Sequence, residues 1–312
     1  MYIDKDLLEI IDMYNRFQEL CSRDVAKRMK ISRSTLFRRF AVLKQKGLKR
    51  RYLFKNWCIG LKTVLAFGRP SSYRIFGLLR EALKNLIGLN RIYVTLSPRM
   101  KIILKHMIIN DRQYEKLLEE YKFVEDIIEV DDVVSINYMI TPIHYYKEKS
   151  IVIPSEYFSE CVFEKFDFID YIILDGLMRG LDSLAKISRD YGLVPTTASY
   201  HYREHVKRIT VCKHYALYRR PNLFLEVVVE DTEKLTSFLS SLFNDNVISY
   251  VDCINIPELT SPLIAYIEVY GDLNKITEYI DDYISKNEIL DIKVRGVTIK
   301  YENVHVPFEK GK

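Results

Sequence analysis

The chain repeats itself. Sliding the 312-residue sequence along itself by 162 residues places Ile11 on Ile173, Val25 on Ile187, Ile31 on Leu193 and Phe40 on Tyr202 without a gap. A shift of 161 places Asn110-Asp111 on Gly271-Asp272. Half the length is 156, so the repeat fills the chain. Identity between the halves is low, and the match rests on element order and apolar spacing. A duplication of this size calls for two copies of one domain-sized unit.

Each copy begins with three short helices. In the first, Leu7, Leu8, Ile10, Ile11 and Tyr14 recur at helical spacing over 4–16. Ser22 is the expected N-cap of a helix to Met29, and Ser32 that of a third over about 33–46, which Gly47 ends. Leu48–Phe54 reads as a strand or wing. Strands are then expected at Leu61–Phe67, Ile92–Leu96, Lys101–Ile109 and within Ile127–Ile140. Helices are expected at Ser71–Leu86 and Asp111–Tyr121, the latter capped by Asp111. The order is β-α-β-β-α-β, the ferredoxin-like arrangement.

A segment with Pro142, Pro154 and many aromatics reads as a linker, and the order then restarts. Helices are expected at Ile169–Met178, Asp182–Tyr191 and Thr196–Arg208, then a second β-α-β-β-α-β series from Leu223 to Tyr301. The expected fold class is α+β: two tandem copies of a winged helix-turn-helix plus a ferredoxin-like domain. Its divisions are 1–56, 57–141, a linker at 142–164, 165–220 and 221–312.

Charge follows these divisions. Residues 1–56 carry 15 Lys/Arg against 6 Asp/Glu, and 57–164 carry 14 against 14. Residues 165–220 carry 10 against 6, and 221–312 carry 8 against 16. The formal net charge of +5 conceals a basic start and an acidic end. Such asymmetry points to a nucleic-acid surface at the basic end.

The residues there fit that chemistry. Val25-Ala26-Lys27-Arg28-Met29-Lys30-Ile31-Ser32 reads as a helix, a tight turn and a cap. Ser32 leaves helix N–H groups for a phosphate. Arg33, Ser34, Thr35, Arg38 and Arg39 lie outside the apolar face of the third helix. Arginine there can pair with guanine edges, while Ser and Thr reach bases or phosphates. Lys44, Lys49, Arg50 and Arg51 form a basic edge for flanking phosphates. From 20 to 55 there are 13 Lys/Arg against one acid, Asp24. In the second copy Gly192 supplies a left-handed turn, and Thr196, Thr197, Tyr200, His201 and Arg203 take the corresponding positions. His201 and His205 are one helical turn apart, but the sequence places no further ligand beside them, so no metal site is expected.

Other classes find little support. The five cysteines are scattered without a CxxC, which reads as reduced thiols in a cytoplasmic protein. No apolar run approaches the roughly 20 residues a bilayer needs, so no membrane partner is expected. Only 3 Gln, with abundant Ile, Lys and Tyr, lean toward a high-temperature source. No P-loop, GxGxxG or GxSxG occurs. No cofactor and no catalytic residue are expected.

Each half resembles the Lrp/AsnC (feast/famine) transcription regulators. The resemblance rests on Val25–Ser32, on Leu36-Phe37-Arg38-Arg39-Phe40 with Leu43 and Gly47-Leu48, and on Ile267-Glu268-Val269-Tyr270-Gly271-Asp272-Leu273. It implies a DNA-binding regulator of double-stranded DNA without catalysis. It also implies a small-molecule effector such as an amino acid near Asn110, Asp111, Gly271 and Asp272. A tandem chain would build the family's dimer within one polypeptide and could pair further as a homodimer. The siroheme decarboxylases resemble the same architecture and also occur as paired or fused halves. That resemblance implies Arg and His holding propionate and acetate groups, with His106, His144, His201 and His214 as candidates. A protein-interaction module is a third reading.

Overall fold

The computed structural model describes residues 4–18, 21–72, 78–95, 101–161, 165–181, 183–286, 289–303 and 306. The first unit is α1 (Lys5–Arg16), α2 (Ser22–Arg28), α3 (Arg33–Gln45) and β1 (Leu48–Phe54). Leu7, Ile10, Ile11, Val25, Ala26, Leu36 and Leu43 form its core. Ile31 N–H donates to Ala26 O at 3.0 Å and closes the turn, with Lys30 left-handed at φ 53°. Ser32 caps α3, its Oγ accepting from Thr35 N–H at 3.0 Å. Ser22 opens α2 from within, and Cys21 takes the cap position.

The first α/β domain runs β2 (Lys62–Pro70), α4 (Leu79–Leu83), β3 (Leu89–Thr95), β4 (Ile102–Ile108), α5 (Asp111–Phe123) and β5 (Ile128–Ile136). Of the helix expected over Ser71–Leu86, the described part is α4; residues 73–77 lie outside the described residues, as does Leu96. Asn110, not Asp111, caps α5, because its side chain reaches Gln113 N–H at 2.9 Å.

The connecting segment has structure of its own: β6 (Tyr138–Ile140), β7 (Ile143–Tyr145) and β8 (Ser150–Val152). It packs back on the start of the first α/β domain, where Lys55 Nζ donates to Ser159 O at 2.9 Å. That return brings together Cys58 and Cys161, 103 residues apart, as a disulfide. The expectation of five reduced thiols is therefore corrected; Cys21, Cys212 and Cys253 are free.

The second unit is α6 (Phe168–Met178), α7 (Leu184–Tyr191), α8 (Pro195–His201), a π turn at Tyr202–Val206, α9 (Lys207–Ile209) and β9 (Thr210–Leu217). Asp182 lies outside the described residues, and Ser183 caps α7. The second α/β domain follows as β10 (Leu223–Val229), α10 (Thr232–Asn244), β11 (Ile248–Ile256), β12 (Leu263–Gly271), α11 (Leu273–Ser285) and β13 (Asp291–Glu302).

The two wings pair with each other. β1 and β9 run antiparallel, with Arg51 opposite His214. The α/β domains join as well. Nine strands lie in the order β5-β2-β4-β3-β13-β10-β12-β11-β6. Each domain has its own four-stranded ferredoxin-like sheet, and β3 of the first pairs with β13 of the second. β6 pairs with β11 at the far end. Only Asn137 separates β5 from β6, so the two edges of the row are one continuous stretch of chain. The sheet thereby wraps on itself, which leaves few open edges.

Strand alternation gives this barrel an outside and an inside. Outward residues meet the helices in two separate cores. Inward, Leu65, Tyr93, Ile103, Ile136, Phe224, Tyr266, Val297 and Ile299 pack from both halves. Among the described residues no helix is long and apolar enough to cross a membrane.

Candidate active site

One end of the barrel interior is charged. Arg91 of β3 and Lys105 of β4 occupy inward positions in otherwise apolar strands and are buried. Asp252 of β11 and Glu268 of β12 meet them from the second half and are also buried. Arg91 Nη1 donates to both carboxylates, at 2.5 Å each. Lys105 Nζ and the Tyr93 hydroxyl also donate to Glu268, and Asn255 Nδ2 does so at 3.2 Å. Arg91 Nη2 reaches Glu302 at 2.7 Å. Burial alone would raise the carboxyl of Asp252. Arg91 and Arg51 outweigh it and hold that carboxyl well below the usual range. Glu268 is lowered too: burial opposes this, and Lys105 and Arg91 prevail.

The wing strand β1 closes over this end. Arg51 Nη1 donates to Asp252 Oδ1 at 2.6 Å and to the Tyr250 hydroxyl at 2.8 Å. Arg50 Nη2 donates to the Tyr215 hydroxyl at 2.8 Å. The Lys49 ammonium lies 3.6 Å from the Tyr218 ring centroid, and burial lowers its pKa.

Between β1, the barrel end and α6 lies an open cleft of about 370 Å³. Its cations are Lys49, Arg50, Arg51, Arg91, Lys105 and Arg179; its acids are Asp252 and Glu302. Its apolar wall comes from Phe54, Leu61, Met107, Met139, Leu174 and Met178. The volume falls in the usual range for a small-molecule site, roughly 300–1,000 Å³. Arg51, Arg91 and Lys105 are balanced by Asp252, Glu268 and Glu302. Lys49 and Arg50 lie outside this set, and Arg179 pairs with Asp175 at 3.7 Å. Arg179 donates to the Tyr191 hydroxyl at 2.7 Å. Arg91 Nε is buried without an acceptor, an open donor of the kind a bound ligand satisfies. The arrangement suits an anion carrying several carboxylates and a flat apolar body.

The expected DNA-contacting residues divide. Arg33, Ser34, Arg38 and Lys44 are exposed on α3, with Ser32 at its start and Thr35 half-buried. Arg39 is paired with Asp6 at 3.0 Å. Lys49, Arg50 and Arg51, expected beside phosphates, line the cleft; strand alternation sends Arg51 to the barrel end at Asp252 and Arg50 to the opposite face, onto Tyr215. In the second unit Thr196, Tyr200 and Arg203 are exposed and Thr197 half-buried. His201 turns inward, its Nδ1 3.0 Å from Asp170 Oδ1.

The expected effector residues are turn and cap groups. Asn110 caps α5, and Asp111 pairs with Lys62 at 3.3 Å. Gly271 exchanges hydrogen bonds with the Asn222 side chain, and a Cβ there would lie 2.7 Å from Val247 O. Asp272 caps α11.

Nor do the candidate histidines line the cleft. His106 is buried between Ile87 O and the Tyr121 hydroxyl. His144 Nε2 accepts from Val251 N–H at 2.9 Å, and His214 is buried on β9, opposite Arg51 of β1. Arg91, Lys105, Asp252, Glu268 and Arg179 were not among the expected site residues. The available signal was a lone charge inside the apolar runs Leu89–Thr95, Ile102–Ile108 and Leu263–Gly271.

No known sequence family matches the chain, and no curated protein does. Solved structures do. The crystal structure of the siroheme decarboxylase NirDL aligns with TM-score 0.57 and 8% identity, over 98% of this chain and 94% of that one. The same enzyme in complex with an iron-uroporphyrin III analogue aligns with TM-score 0.54 and 8% identity, over 97% and 93%. An AsnC family transcriptional regulator from Agrobacterium tumefaciens covers 43% of this chain and 88% of its own, at 16% identity and TM-score 0.32. The fold is thus shared end to end with that of NirDL. The expectation of a chain without catalysis is corrected: the two end-to-end matches described here are structures of an enzyme.

Proposed function

We propose that the chain is an enzyme that decarboxylates a polycarboxylated tetrapyrrole of the siroheme type. The observation that carries this reading is the cleft. Six cations and an apolar wall meet at the junction of the two halves, in a fold shared end to end with a siroheme decarboxylase. A tetrapyrrole presents a flat apolar ring with acetate and propionate groups at its rim. Leu61, Met107, Leu174 and Met178 suit the ring. Arg50, Arg179 and the open Nε–H of Arg91 suit the rim carboxylates, since guanidinium matches carboxylate geometry.

Loss of CO₂ from an acetate arm breaks one C–C bond. The bonding pair passes to the arm carbon, where the ring delocalises it, and a proton then converts the arm to methyl. The chain has three tasks in this step. Its cations hold the carboxylates that do not react. Its apolar wall disfavours a charged carboxylate relative to neutral CO₂. Lys49, which lines the cleft over the Tyr218 ring, is placed to supply the proton, and its pKa lies below the usual lysine range, which eases proton release.

A second reading keeps DNA contact at α3, supported by the exposed Arg33 and Arg38 beside the Ser32 cap. One experiment separates the two. Visible absorbance is followed as siroheme is added, beside DNA binding at several salt concentrations. The enzyme reading expects a saturable spectral shift and CO₂ release that Arg38→Ala with Arg39→Ala leaves intact. Salt-sensitive DNA binding without a spectral shift would overturn it.

A further inference from the structure

A second group of side chains lies apart from the cleft. Asp170 of α6 has no exposed surface. Its carboxylate faces two imidazoles from the helix that follows α7. His201 Nδ1 is 3.0 Å from Oδ1, and His205 Nδ1 is 2.9 Å from both oxygens. One ligand atom from each of the three residues lies within 4.8 Å of the others. The imidazole rings stand edge to face, 83° apart.

The spacing fits a shared ion. Donors about 2.0–2.1 Å from one metal, at about 90–110° to each other, lie roughly 2.9–3.4 Å apart. The local chain holds this arrangement in place. Asp170 Oδ2 accepts from Asp167 N–H at 2.9 Å, which fixes the carboxylate. The π turn begins at Tyr202, just after His201, and takes in His205. Such turns recur at functional sites. The Tyr200 ring packs edge-on against both imidazoles.

Charge points the same way. The ion pairs of Asp170 are with His201 and His205, and neither imidazole carries a permanent charge. A buried carboxylate without a fixed counter-charge is costly, and a divalent cation would supply that charge. The geometry points to a zinc-type divalent metal site formed by Asp170, His201 and His205. Two imidazole nitrogens and one carboxylate are a familiar zinc donor set, with water taking the open position. His205 is 29% exposed along its side chain, so water reaches it.

The ion would also brace the fold. α6 carries Asp170 near its start and Leu174 and Met178, which line the cleft, further on. At 1.5 Å per residue, Asp170 and Met178 are about 12 Å apart. The metal would pin α6 to α8 and so hold one wall of the cleft. This inference does not rest on the decarboxylase reading.

The test uses the full chain, stripped with a chelator and titrated with Co²⁺ and then Zn²⁺. Co²⁺ binding is read by its visible absorption and by calorimetry. The native protein should bind one equivalent saturably, and Zn²⁺ should displace it and raise the melting temperature. His205→Gln should weaken binding by about 100-fold or more, beyond the roughly 10- to 100-fold that loss of a supporting contact costs. His201→Gln should act alike. If a variant fails to fold by circular dichroism, the native titration and the partly exposed His205 variant decide. No saturable Co²⁺ binding by the native chain, or equal binding by a chain carrying both His201→Gln and His205→Gln, would overturn the assignment and leave a hydrogen-bonded triad.

Discussion

Arg51 in the wing of the first half donates to Asp252 in the sheet of the second at 2.6 Å, and Arg91 meets the same carboxylate. One buried acid therefore ties together the first wing, the first sheet and the second sheet. Removing its charge leaves two guanidinium groups without their common partner. Asp252→Asn should lower unfolding stability by about 3–5 kcal/mol, the usual cost of breaking a buried pair. Urea denaturation checks this, and a loss below about 1 kcal/mol would show the acid to be dispensable.

The cleft cations outside the Asp252 cluster should act on ligand binding more than on stability. Arg50 and Lys49 lie on β1 outside the balanced cluster. Lys49→Met should weaken binding of an iron-uroporphyrin by about tenfold, from loss of a charge-assisted contact of about 1.5 kcal/mol. It should slow CO₂ release further still, since the proton donor is gone. Absorbance titration and single-turnover CO₂ measurement separate the two effects. Equal loss in both would reduce Lys49 to a binding group.

Acid should unfold the chain before its carboxylates account for the loss. Burial holds His106 at about 4, against about 6.5 for free imidazole. Above pH about 6.5 both folded and unfolded chains are neutral there. Between about 6.5 and 4 only the unfolded chain takes up the proton, so stability falls as pH falls. For His106 this amounts to something on the order of 3 kcal/mol. His144, lowered to about 3 by burial and then by Arg51, adds in the same direction. His106→Gln should flatten the stability slope across this window by about one proton. An unchanged slope in denaturation at a series of pH values would contradict the assignment.

The Cys58–Cys161 link closes a loop of 103 residues. Constraining a loop of that length typically stabilises by about 2–5 kcal/mol. Reductant should lower the melting temperature, and Cys58→Ser with Cys161→Ser should match the reduced native protein. Thiol counting on the denatured, unreduced chain should return the three free cysteines. Five would show that no link forms.

The element order was legible because apolar spacing records it locally. Leu7, Ile10, Ile11, Val25, Leu36 and Leu43 announce the first helical unit, and Ser32 announces its last helix. What joins the halves was not legible. The pairing of β3 with β13 and of β1 with β9 is set by strand edges, and edges leave no mark on composition. Arg51 reads in sequence like Lys44, yet one is turned onto Asp252 and the other lies exposed over the Phe40 ring. A basic run names its charge and not its direction. Likewise His201 and His205 lacked a third ligand until the fold brought Asp170, 31 and 35 positions earlier in the chain, against them.

The central claim is that the cleft between the halves removes CO₂ from a tetrapyrrole carboxylate. Its most direct test is anaerobic incubation of the native chain with siroheme, followed by mass spectrometry of the pigment. The account predicts products lighter by one and then two CO₂, with acetate arms converted to methyl, and slower conversion by Lys49→Met. Siroheme recovered unchanged from a folded protein that shows no spectral shift would contradict it.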